Sequence, residues 1–328
     1  MHSSDLLRLP FPRDLTEGGI AYATRSLSRS TSRSDRYIYA RLRHTVACAA
    51  VELAFRRYLT ESRIPFKVKS ATAFSDPNRY DVTLGGHRCD LRLFLISHRN
   101  QIRDIHHDPG ILLDAPALVP MDQDAGEGHH DEDIYLFAFT LGLITTTQTT
   151  LRKAIAAEQP IHLLHALPRE WANPKMWIPL GPLALKSESA SQITVELSGQ
   201  TEDREYASER FLLPPLTRVI SQTPFFSISS IHVDGPPAGR VGIHSTTRNE
   251  THVIQTGEWG NIWAYGMDLY LAGWISRAEF RQRAAVILPG SRVLQYDRTR
   301  VKNLALPVRE LHSLNALLEK VRAWKGGH

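Results

Sequence analysis

The segment RYDVTLGGHRCDLRLFLIS (79–97) constrains the fold more than any other stretch of this chain. Gly85 and Gly86 separate two β-rich runs, and a glycine pair supplies the positive φ angles that a tight hairpin turn requires. Side chains alternate along a strand, so Asp90 and Arg92 share one face while Leu91 and Leu93 point to the other. A run as apolar as CDLRLFLI belongs at the centre of a sheet, where two charged residues are rare without a purpose. The same hairpin is expected to bring Asp81 near Asp90 across the ladder. Two converging carboxylates repel unless a hard divalent cation sits between them. Such an ion polarises a phosphate oxygen and acidifies a bound water, and a cationic side chain beside it stabilises charge on phosphorus.

The flanking pattern suits an α/β layer. RHTVACAAVELAFRRYLTES (43–62) repeats apolar residues at helical spacing, and Pro65 stops it. PFKVKSATAF alternates as a strand, while residues 98–131, rich in His, Asp, Pro and Gly, read as a loop. DIYLFAFTLGLI resumes as a buried strand, TTTQTTLRKAIAAEQ as a hydroxyl-capped helix, and PIHLLHAL as a further strand.

These residues resemble the PD-(D/E)XK nuclease superfamily, in which an aspartate opens one strand and an acidic-X-lysine triplet follows on the next. The likeness spans about residues 43–97, with DIYLF as the next core strand. It implies a restriction-endonuclease-like mixed sheet flanked by helices, with Asp81 and Asp90 holding Mg2+ (or Mn2+). It further implies that Glu52, from the preceding helix, assists the metal or a water, and that Arg92 takes the lysine position. The chain departs from the pattern in two places: Tyr80 stands where a proline is usual, and Arg92 replaces lysine. Arginine stays charged at physiological pH, so it can clamp a phosphate but not act as a general base. The resemblance therefore implies either a metal-dependent DNA endonuclease in restriction or defence, or a non-catalytic relative that binds nucleic acid or serves assembly. A homodimer, or other subunits of a defence or repair complex, would be its partners. A scaffold with no nucleic-acid role is the third reading.

Charge points the same way. The net charge is +5, and the arginines between 25 and 63 include Arg36, Arg41, Arg43, Arg56 and Arg57, an excess that attracts a polyanion. The alternative for such a run is a solvated arm. At 328 residues the chain exceeds one ordinary core, so two domains are expected. The reading is a basic arm (1–42), a nuclease-like α/β domain (43–186) and a smaller β-rich α+β domain (193–328), with KSESASQ as linker. No apolar run reaches the roughly 20 residues of a membrane span. Cys48 and Cys89 make no disulfide framework, so a cytoplasmic home is expected.

Three further patterns remain. The clusters around His106, His107 and Asp108, and around His129, His130, Asp131, Glu132 and Asp133, contain metal-ligand residue types but read as solvated loop, Asp133 excepted. Trp259, Trp263, Tyr265, Tyr270 and Trp274 can stack on bases but read as core. EDIYLFAFTLGLITTTQTTLRKAI and GMDLYLAGWISRAEFRQRAAVI form a weak internal repeat, explained by duplication or by convergence of two similar units.

Overall fold

The computed structural model describes residues 1–27, 38–68, 82–125 and 129–323. In chain order the elements begin with β1 (Leu7–Leu9), α1 (Arg13–Leu27), α2 (Ile38–Glu61), β2 (Phe66–Lys67), β3 (Val82–Leu84), β4 (His87–Ile96) and α3 (Arg99–His107). They continue with β5 (Pro116–Pro120), α4 (Met121–Asp124), β6 (Ile134–Ile144), α5 (Gln148–Ala156), β7 (Leu163–Ala166), α6 (Arg169–Ala172) and β8 (Leu183–Ser187). Next are β9 (Ile193–Gln200), β10 (Tyr206–Leu213), β11 (Arg218–Ile220), β12 (Ser227–Val233), β13 (Val241–Ser245), β14 (Glu250–Ile254) and β15 (Gly260–Asn261). The last are β16 (Ala264–Ser276), α7 (Arg277–Arg283), β17 (Ala285–Ile287), β18 (Asn303–Pro307) and α8 (Leu314–Ala323).

The chain forms two compact units that interleave in sequence, one of residues 1–15, 47–143 and 266–328, the other of 16–46 and 144–265. This replaces the expected serial division at 186–193. The supposed linker lies inside the second unit, where Ser187 and Ser189 are buried and Glu188 receives the Arg240 guanidinium at 2.7 Å. A polar composition marks a linker only when the backbone is exposed, and here the serines satisfy one another. The described part of the expected arm is also ordered structure: β1, α1 and the start of α2.

In the first unit the sheet runs β1-β16-β6-β4-β3-β2. The hairpin turns at the glycine pair as expected, with Val82 opposite Cys89 and φ of 55° and 88° at Gly85 and Gly86. β4 and β6 pair in parallel, Asp90 opposite Tyr135. A parallel pair needs cover on both faces, and the alternation of β6 supplies it. Ile134, Leu136 and Ala138 join a core with α2 and α8, while Tyr135, Phe137, Phe139 and Leu141 join another with α3, α7, β5 and β18. Each fully buried aromatic there contributes roughly 1.5–3 kcal/mol relative to exposure.

The described residues of 98–131 are not the loop expected. Ile102, Ile105, Leu112, Leu118 and Val119 are buried, and they anchor α3 and β5 despite the polar residues between them. Five such anchors in a stretch this long are too few to dominate a composition-based reading.

The second unit pairs a five-stranded sheet, β10-β9-β12-β7-β15, with a four-stranded one, β11-β8-β13-β14. Leu163, Leu185, Val195, Phe225, Ile231 and Ile243 fill the space between, the expected outcome for short alternating strands. α5 begins at Thr147, whose hydroxyl accepts from the Thr150 N–H at 3.2 Å, and α7 at Ser276, which accepts from Glu279 N–H at 3.3 Å. Both copies of the sequence repeat thus run from an aromatic strand into a hydroxyl-capped helix. The five aromatics of 259–274 are all buried, as core. No helix among the described residues is long and apolar enough to cross a membrane.

Candidate functional site

The parallel pair β4–β6 sets its polar residues at its leading end. Asp90 and Arg92 lie on the face of β4 that continues into Phe94 and Ile96, away from α2. They bond each other directly, and Arg92 also donates to Gln123 and lies 5.5 Å from the centre of the Tyr135 ring. The Arg92 Nε is buried without a hydrogen-bond partner. The guanidinium is therefore enclosed by three neighbours rather than held out toward solvent.

Beside it, Tyr135 donates its hydroxyl to Asp124 Oδ1 at 2.9 Å. Asp124 receives Arg281 Nε at 2.8 Å and Arg277 Nε at 3.3 Å, and its own carbonyl accepts from both arginines. Burial would raise the Asp124 carboxyl, but donors from Arg281, Tyr135 and Arg277 outweigh it and hold it below its ordinary value. Burial, then the Asp124 charge, push the Tyr135 hydroxyl up. Asp133 is buried, as a residue leading into a strand beside β4 should be. Its carboxylate accepts from His130 N–H at 2.8 Å and lies 3.6 Å from His129 Nδ1. Burial lowers His129, with Arg277 adding to it and Asp133 and Asp90 opposing.

Asp81 and Arg36 lie outside the described residues. Glu52 sits on α2, which packs against the Cys89 and Leu93 face of β4, and it bonds Arg56 one turn along. The structure does not bring Glu52 to Asp90, because i and i+4 on a helix meet more cheaply than residues across a sheet.

Of the two aspartates expected to hold Mg2+ or Mn2+ at the hairpin, only Asp90 lies among the described residues. Asp90 meets a guanidinium, and among the described residues the first unit has no group of three His, Cys, Asp or Glu ligands close enough to share an ion.

The basic tract is also partly spent. Arg43 is buried and donates Nε to Asn261 O at 2.8 Å and Nη2 to Thr145 O at 3.1 Å. Burial pulls its pKa down. This corrects its assignment as a nucleic-acid contact: the spacing that made it look like one more surface arginine concealed an inward-facing turn of α2. Arg56 is tied to Glu52 and Arg57 to Asp14, while Arg41 is exposed.

One grouping was missed in the sequence. In the second unit His162, His232 and Asp234 place one ligand atom each within 4.8 Å of one another. His232 lies on β12 opposite Leu164 of β7, and the register carries His162 and Asp234 to the same end of that pair. The two-residue period of IHVDG does put His232 and Asp234 on one face, a legible hint. That β7 would lie beside them was not legible.

No family model, curated protein or solved structure matches this chain.

Proposed function

We propose that the first unit is a nuclease-like domain that holds nucleic acid without cutting it, as a binding or assembly subunit. The observation that carries this is the Asp90–Arg92 pair at the head of the central strand: the carboxylate expected to take a metal is occupied by a residue that cannot be a general base. Support for the fold itself comes from element order. A helix, a strand, a hairpin and a helix follow one another as α2, β2, β3–β4 and α3, and after β5 and α4 comes β6, parallel to the hairpin's second arm, an order compatible with a restriction-endonuclease-like core. The positive net charge supports nucleic acid as the partner.

A second reading, phosphodiester cleavage in restriction or defence, is favoured by Asp90 lying within electrostatic reach of His129 beside Asp133.

One experiment separates the two. The protein is incubated with supercoiled plasmid and Mg2+ or Mn2+, beside Asp90→Ala, Arg92→Lys and an EDTA control, and DNA retention is measured at rising salt. Salt-dependent retention without nicking by the wild type is expected. Nicking that Asp90→Ala abolishes overturns the binding-only reading in favour of cleavage. Absence of retention at low salt removes nucleic acid altogether. Nicking gained only in Arg92→Lys identifies the arginine as the residue that closes the site.

A further inference from the structure

We propose that His162, His232 and Asp234 form a binding site for a borderline divalent cation of the zinc class, with a coordination position open to solvent. The inference rests on the second unit alone and does not depend on the nucleic-acid reading.

Four features of the structure converge. Asp234 Oδ1 lies 4.0 Å from His162 Nδ1 and 3.8 Å from His232 Nε2, so one oxygen faces both rings. The other oxygen, Oδ2, is engaged by Arg210 Nη2 at 3.1 Å, which fixes the carboxylate with Oδ1 turned inward. The rings lie nearly parallel, 7° apart with centroids at 5.8 Å, and both present a nitrogen to the same side. His232 Nε2 is buried with no hydrogen-bond partner, an unsatisfied group that a bound ion would engage.

The donor set selects the ion. Two imidazoles and a single carboxylate oxygen suit zinc, cobalt or nickel, whereas magnesium prefers an all-oxygen shell. Asp234 Oδ1 lies 4.0 and 3.8 Å from the two nitrogens and all three ligand atoms lie within 4.8 Å, so the group would contract by about half an ångström or more around an ion bound at about 2.0–2.2 Å. Asp234 permits this, since its side chain is 54% exposed at the end of β12, whereas the histidines are 9% and 12% exposed. Three protein ligands leave a fourth position, and exposure on the Asp234 side directs it to solvent, beside the Arg210 guanidinium. A small anion or a water is the ligand class that fits there.

The test uses untagged full-length protein stripped with EDTA and titrated with Co2+, whose visible ligand-field absorption reports imidazole and carboxylate coordination. One equivalent is expected to produce the band, and Zn2+ to displace it. Asp234→Asn, at an exposed position that folding tolerates, is expected to weaken binding about a hundredfold. Arg210→Ala, which frees the carboxylate to rotate, should weaken it about tenfold. Zn2+ should also raise the melting temperature of the wild type and leave Asp234→Asn unmoved. Equal cobalt uptake by wild type and Asp234→Asn, or no band in the wild type at one equivalent, overturns the site.

Discussion

Asp124→Ala is expected to destabilise the first unit by about 3–5 kcal/mol, the usual cost of leaving a buried charge without its partner. Asp124 is 5% and Arg277 3% exposed, and the carboxylate joins two arginines from α7 to the Tyr135 hydroxyl on β6. Removing it takes the carboxylate from the buried Arg277 guanidinium and leaves the backbone carbonyl of residue 124 as acceptor. The effect should be read as a lower midpoint in urea, followed on the transition that belongs to the first unit. Asp124→Ala combined with Arg277→Met is expected to cost less than the sum of the two, because the second change removes the orphaned charge.

The pH dependence has a definite sign. The folded carboxyl lies below its ordinary value of 3.8, so its contribution is present above that value and is lost as pH falls through the folded pKa. Wild type and Asp124→Ala should therefore converge in stability only in strong acid. A gap that closes already near neutrality would show that the carboxylate is not the stabilising group.

Arg43→Met is expected to cost the second unit about 2–5 kcal/mol, because the carbonyls of Asn261 and Thr145 each lose a buried donor at about 1–3 kcal/mol apiece. Methionine fills much of the same volume, so the loss reports hydrogen bonding rather than a cavity. The Asn261 side chain shares the damage, since it donates to Thr145 Oγ1 at 2.5 Å and to the Tyr265 hydroxyl. DNA retention by Arg43→Met should match the wild type at temperatures where both are folded. A selective loss of retention with unchanged melting would return Arg43 to the surface role its sequence context suggested. Arg41→Ala is the contrasting case, an exposed arginine whose removal should leave melting unchanged within about 0.5 kcal/mol.

Arg43 also shows where sequence reasoning stops. It follows Arg41 in a tract of arginines, and residue type there indicates only positive charge. Whether a given arginine faces water or two carbonyls depends on what packs against that turn of the helix, and those carbonyls come from residues 145 and 261, far along the chain. His162 and His232 are a similar case, separated by seventy residues and joined only by the pairing of β7 with β12.

Local physics did determine several things. The glycine pair fixed the hairpin and its register, because few other residues tolerate φ near 55° and 88°. The apolar run of β6 and the apolar positions of β4 placed both at the centre of a sheet with both faces covered, and alternation assigned Asp90 and Arg92 to a common face. These follow from the period of two and from the cost of exposing apolar surface, which neighbouring residues express directly. Only the tertiary structure decided which charges meet at long range: Asp124 with Arg277 and Arg281, 153 and 157 residues along the chain. It also decided that the two units interleave, with the chain passing between them at 15, 46, 143 and 265. Charge pairing and unit membership depend on contacts across long loops, and the free energy of those contacts is written in no single stretch of sequence.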